Sequence, residues 1–242
     1  LVQSLDRYPY GCTEQITSRA LPLVLVSELA ALAGPSDAGQ EQERRREVQK
    51  AIDTVLERQD ESGAIGLWRY GDNAGWPWVE AMAIELLIRG KEAGYVVPDN
   101  AIRLGISRLE RIVRGGGDRN YEMDQNSARA LTLADRAYAA AVLSQRGAVD
   151  IGVLRQLHDA SINSMRGTMG AALLGSALAN AGDRGRTANA FREAQASLGQ
   201  SIKGDYYGSA LRNTAGVLAL AVESRAPVDL QPIMDRLQRL KR

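Results

Sequence analysis

Cys12 and Gln15 are the residues in this chain whose types and spacing could do unusual chemistry. Cys12 is the only cysteine, and Gln15 follows it at i+3. On a helix, or on the turn that enters one, this spacing puts both side chains on one face. A thiolate held against a primary carboxamide can attack the carbonyl carbon, expel ammonia and leave an internal thioester. The gain comes from replacing a bimolecular encounter with an intramolecular one. Such a bond is an acyl group stored for a later nucleophile.

The flanking residues suit this chemistry. Pro9 fixes its own φ and drives Tyr8 toward an extended shape. Gly11 is read as allowing a sharp turn just before the sulfur. Cys12 is placed near a helix N-terminus, where unpaired N–H groups favour a thiolate and can hold an oxyanion. Glu14 could move protons or simply complement the helix dipole. The rings of Tyr8 and Tyr10 could shield the ester from water. Set against all this, a lone cysteine is most often a small buried hydrophobe.

The longer string decides the reading. Tyr8-Pro9-Tyr10-Gly11-Cys12-Thr13-Glu14-Gln15, followed by Ile16-Thr17-Ser18-Arg19, resembles the thioester motif of the α2-macroglobulin and complement family in its bacterial form. Gly63 to Trp68, Trp76 to Val79, Leu86 to Pro98 and Asp135 to Leu143 resemble later parts of the same domain. The resemblance runs over essentially the whole chain and is strongest from Leu5 to Leu143.

This resemblance implies a closed α/α toroid with the Cys12–Gln15 pair at a helix entrance at one end. It implies one thioester-containing domain over residues 1–242, cut from a much longer chain. It also implies a single-turnover protease trap rather than an enzyme. A protease cuts a bait segment elsewhere in the parent, the thioester is uncovered, and a lysine amine of the protease takes the Gln15 acyl group. The expected partners are target proteases and the parent's other domains. The expected location is the periplasm, with the parent anchored to the inner membrane outside this segment. Complement relatives that acylate hydroxyls carry a histidine downstream. The comparable stretch here, Tyr121 to Asn126, has none, which favours amines as targets. Asn126 is the residue there that could orient a nucleophile.

Composition bounds the alternatives. The chain has 242 residues, 45 % of them hydrophobic, with 30 basic and 29 acidic side chains and a formal charge of +1. That suits one large globular core and argues against a nucleic-acid partner. A single cysteine excludes an internal disulfide. No apolar run is long enough to span a bilayer, so no direct membrane contact is expected from this segment. No cofactor or metal is expected, since no His/Cys cluster with ligand spacing occurs.

The elements that must position the pair are helices. An apolar helix over residues 21–33 should follow the motif, with a kink or restart at Pro22. Residues 40–59 form a charged amphipathic pattern with Val48, Ile52, Val55 and Leu56 on one stripe. A loop over 62–77 gathers Trp68, Tyr70, Trp76 and Trp78. Their rings are read first as packing on helix ends, and second as a wall around the thioester or a sugar-stacking surface. Helices are then expected over 79–94, 99–113, 129–147, 150–163, 168–182, 184–198, 209–223 and 228–241. Alanine-rich helices alternate with amphipathic ones about five times, in irregular units. The apolar ones suit an inner ring and the amphipathic ones an outer ring. The fold class expected is therefore all-α, an array of helical hairpins.

Two other readings compete. Glu80, Asp124 and Asp135, together with the tryptophans, could imitate the carboxylate cleft of a carbohydrate-active enzyme or lyase. The chain could also be a helical-repeat binding module without chemistry. His158, the only histidine, is read as a partly exposed surface or packing residue. No Gly-x-Ser-x-Gly elbow accompanies it.

Overall fold

A computed structural model describes residues 11–33, 38–72, 76–116, 124–200, 202 and 208–240. Tyr8, Pro9, Tyr10 and the stretch 121–123 lie outside the described residues. Ten α-helices and one short 3-10 helix make up the described secondary structure, and no strand longer than an isolated bridge occurs among the described residues. The chain divides into two compact units, Leu1–Arg108 and Leu109–Arg242.

In the first unit, α1 (Thr13–Ala33), α2 (Ala38–Glu57) and α3 (Pro77–Glu92) pack on one another. Of the expected α2 stripe, Val48, Ile52 and Val55 are fully buried, while Leu56 at its edge is half-buried. α3 is enclosed on almost every side, since all its residues from Val79 to Ile88 are buried. α4 (Asp99–Val113) begins after Pro98, where the sequence places its start. α1 runs through Pro22 as one helix, so the chain does not restart there. Pro22 and Ser18 both lie on the exposed face. The Ser18 carbonyl that Pro22 leaves without a helical donor is therefore on the side open to water.

In the second unit, α5 (Gln125–Ser144) and α7 (Gly170–Asn180) form the interior, and α7 packs on α8 (Arg184–Ala196) and α9 (Ala210–Glu223). α6 (Ile151–Ser161), the 3-10 helix Ile162–Met165 and α8 lie beside them, and α10 (Gln231–Leu240) packs on α9. Side chains cap the starts. Asp124 accepts from the Asn126 and Ser127 amides, Asp150 from Gly152 and Val153, Asp183 from Arg186, and Ser209 from Arg212. Alternation of half-wet and enclosed helices holds from α2 through α8. It fails at α9, which the sequence places in the inner ring. Only Thr214, Val217 and Ala221 of α9 are buried, and Leu211 and Val222 face outward.

The loop between α2 and α3 is an ordered structure with its own hydrogen bonds. Gln59 pairs with Ile65 in an antiparallel bridge, Gly66 donates its N–H to the Arg58 carbonyl, and Asp60 closes the turn through the Ser62 and Ala64 amides. Gly63 sits at φ +82°, and a Cβ there would lie 2.1 Å from the Leu104 carbonyl oxygen of α4. Both the dihedral and the backbone contact exclude a side chain. Gly63→Ala is expected to cost at least about 2 kcal/mol, from left-handed strain plus the displaced backbone. A denaturant midpoint lowered at constant slope would register it. An unchanged midpoint would mean that the loop does not rest on α4.

Candidate functional site

Cys12 is the residue that α1 starts from. Its carbonyl accepts the first helical hydrogen bond, from the Ile16 N–H at 3.1 Å, while Cys12 itself lies outside the helix. That makes it the N-cap, and Gln15 occupies the third helical position. Gln15 folds back so that its carboxamide oxygen Oε1 accepts the Cys12 backbone N–H at 3.2 Å. This is one half of a capping box, in which a Glu or Gln at the third position satisfies the N-cap amide. The geometry brings the acyl carbon of Gln15 back over the residue that carries the sulfur. Cys12 is a free, half-buried cysteine, and Gln15 is exposed.

Gly11 is needed for room. A Cβ at residue 11 would approach Ile16 Cγ1 to 2.8 Å, so a glycine there lets the chain pack closely on the first turn of α1. Glu14 accepts a hydrogen bond from Ser18 Oγ at 2.9 Å, four residues along the same helix face.

Thr13 anchors the site to the α2–α3 loop. It is fully buried, and its hydroxyl donates to the Gly66 carbonyl at 2.6 Å while its N–H donates to the Leu67 carbonyl at 2.7 Å. Arg58, the residue just past the end of α2, completes the arrangement. Its Nη1 donates to Thr13 Oγ1 and to the Leu67 carbonyl, both at 3.0 Å, and its Nη2 donates to the Gly11 carbonyl at 3.1 Å. Burial pulls the Arg58 pKa down, and the charges of Cys12, Glu57 and Asp72 pull it back up. Sequence reasoning missed Arg58. It reads as one more charge at the end of a charged helix, and its partners are 45 or more residues away at Thr13 and Gly11.

The aromatic residues of the loop correct the packing expectation. Trp68 is 58 % exposed and Tyr70 is 51 % exposed. The Trp68 backbone N–H donates to Asp72 Oδ2, and Glu61 beside the Tyr70 hydroxyl pushes the phenol pKa up. Trp76 and Trp78 are half-buried.

The carboxylates of the competing cleft are occupied separately. Glu80 is 1 % exposed and takes a two-pronged ion pair from Arg108, whose Nε and Nη2 both donate to it. Asp124 caps α5, and Asn126 stands beside it at the start of that helix with its own N–H on the Asp124 carboxylate. Asp135 is buried within α5. His158 is buried, contrary to the surface reading. Its Nδ1 contacts Asp159 Oδ1 at 2.8 Å and its Nε2 contacts Asn189 Oδ1 at 2.9 Å, which ties α6 to α8. The Arg186 guanidinium first, and His158 second, hold the Asp159 carboxyl far below the ordinary carboxylate range. Among the described residues no group of histidine, cysteine and acidic side chains could hold a metal. No helix among them is long and apolar enough to cross a membrane.

A curated relative, the α2-macroglobulin of Escherichia coli K12, is 32 % identical over 237 residues, covering 95 % of this chain. The structure aligns with native E. coli α2-macroglobulin spanning domain MG7 to the C-terminus, at a TM-score of 0.83 and 30 % identity over 98 % of this chain and 37 % of that one. The chain belongs to the α2-macroglobulin family. Trypsin-activated α2-macroglobulin from E. coli also aligns, at a TM-score of 0.81 and 30 % identity over 96 % of this chain and 16 % of that one. No family model matches. The chain spans 14 % of the length of the E. coli K12 relative. The all-α helical-toroid class expected from the sequence is the fold shared with these α2-macroglobulin structures.

Proposed function

We propose that this segment is the thioester domain of a bacterial α2-macroglobulin-like protease inhibitor, with the bond formed between Cys12 Sγ and the Gln15 acyl carbon. One observation carries the reading: the Gln15 carboxamide is folded back onto the Cys12 backbone N–H at 3.2 Å, at the mouth of α1. That contact lowers the entropy cost of ring closure and puts a hydrogen-bond donor on the oxygen that becomes anionic when sulfur attacks. Family membership supports the larger role. In that role the parent chain is cut by a protease, and the opened site receives a lysine amine of that protease. Sulfur leaves as thiolate and an amide links the two proteins. The event occurs once per molecule, so the domain acts as a covalent trap and not as a turnover enzyme. A relative described as trypsin-activated fits a protease as the trigger. Tyr8 and Tyr10 are proposed to shield the ester, and Glu14 to assist proton movement. Asn126 is proposed to orient the incoming nucleophile. The parent is proposed to act in the periplasm, anchored to the inner membrane.

Intact-mass measurement tests the reading. Native protein should weigh one ammonia less than its sequence and show no reactive thiol. Methylamine should add at Gln15 and release one thiol. A protein whose ester has hydrolysed should carry Glu at position 15, which also supports prior closure. Native protein with an unaltered Gln15 and a freely reactive Cys12 would overturn the assignment.

A further inference from the structure

The hydrogen bonds around Cys12 form a continuous chain that the thioester chemistry alone does not require. Arg58 Nη2 donates to the Gly11 carbonyl at 3.1 Å. That carbonyl belongs to the Gly11–Cys12 peptide, whose N–H donates to Gln15 Oε1 at 3.2 Å. A peptide is a conjugated unit, so a charged donor on its oxygen withdraws electron density from its nitrogen and makes the N–H a stronger donor. The guanidinium cannot drift off this carbonyl, because Nη1 is held at the same time by Thr13 Oγ1 and the Leu67 carbonyl.

We propose that Arg58 is a positioning residue for acyl transfer: through the Gly11–Cys12 peptide it strengthens the N–H that holds the Gln15 acyl oxygen. The inference rests on the thioester reading given above. During transfer the amine lone pair attacks Gln15 Cδ and the carbonyl π pair moves to Oε1, where the Cys12 N–H stabilises it. The pair then returns, the C–S bond breaks with its electrons on sulfur, and the attacking nitrogen gives up its proton to water. Arg58 touches none of the reacting atoms.

The single cysteine makes the test direct, because selective labelling with 15N-cysteine gives one amide signal. In the Arg58→Met variant the Cys12 amide proton should move upfield and methylamine opening should slow by about tenfold. Arg58→Lys keeps the charge but not the fork, and should fall between; it also serves if the methionine variant does not fold. Asp150→Ala, which removes the cap of α6 in the second unit and weakens the fold without touching the chain of bonds, should leave the Cys12 signal in place. An unmoved Cys12 signal in folded Arg58→Met would overturn the relay, and so would a slowed reaction without a shift. If wild-type protein shows no thioester, the functional reading falls. The Cys12 amide shift still decides whether Arg58 polarises the peptide.

Discussion

Glu80→Ala is expected to destabilise the first unit by about 3–5 kcal/mol, the usual cost of leaving one member of a buried ion pair without its partner. Glu80 is nearly inaccessible, and both of its oxygens are engaged by Arg108. The carboxylate holds the Arg108 pKa above its ordinary value against the opposing effect of burial. Removing it strands a guanidinium that has 15 % side-chain exposure. The loss should appear as a lower denaturant midpoint with an unchanged slope. Glu80→Gln should lose less, since an amide still accepts one bond. Replacing both Glu80 and Arg108 by leucine should recover most of the stability, as buried pairs often gain little over packed apolar groups. A loss below about 1 kcal/mol in Glu80→Ala would show that Arg108 finds water or another acceptor.

The effect should reach the candidate site. α4 carries both Arg108 and the Leu104 carbonyl against which Gly63 rests, and Gly63 belongs to the loop that presents the Gly66 and Leu67 carbonyls to Thr13. A loosened α4 therefore frees the loop that anchors the start of α1. The structural carboxylate and the chemical pair are separate residues joined by one loop, so Glu80 variants should slow thioester formation only in proportion to the loss of fold.

What could be read from the sequence was local. Cys12 and Gln15 are three residues apart, Pro98 and Asp99 punctuate the start of α4, and the stripe through Val48, Ile52 and Val55 repeats at helical spacing. Each signal lies within a few residues of its consequence. Arg58 was invisible because its meaning depends on Gly11 and Thr13, which arrive only when α1 and the loop fold together. The exposure of Trp68 was invisible for a similar reason. A tryptophan is buried when a neighbouring surface covers it, and sequence spacing cannot say whether one does. At Pro22 the helix continues although one hydrogen bond is lost, and the freed Ser18 carbonyl lies on the exposed face. α9 misled because an alanine-rich pattern gives the same apolar run whether or not helices enclose it on all sides.

Gln15→Glu separates the capping role of position 15 from its proposed acyl role, and its expected effect on chemistry is total. A glutamate at the third helical position still accepts the Cys12 N–H, which keeps that half of the capping box, and its charge favours the helix N-terminus by about 0.3–1 kcal/mol. The variant should therefore fold at least as well as the parent. Its carboxylate, however, is a poor acyl donor, because its negative charge repels sulfur and it has no ammonia to release. No mass deficit should appear, the Cys12 thiol should react fully, and methylamine should not be incorporated. Cys12→Ser complements it from the other side. Serine is among the preferred N-cap residues, so stability should hold or rise by about 0.5–1 kcal/mol, while amine incorporation disappears. Such a pair of results would mean that cysteine and glutamine occupy a helix start where serine and glutamate cap at least as well, and that chemistry is the reason they are there. Methylamine incorporation surviving either substitution would place the acyl group elsewhere in the chain.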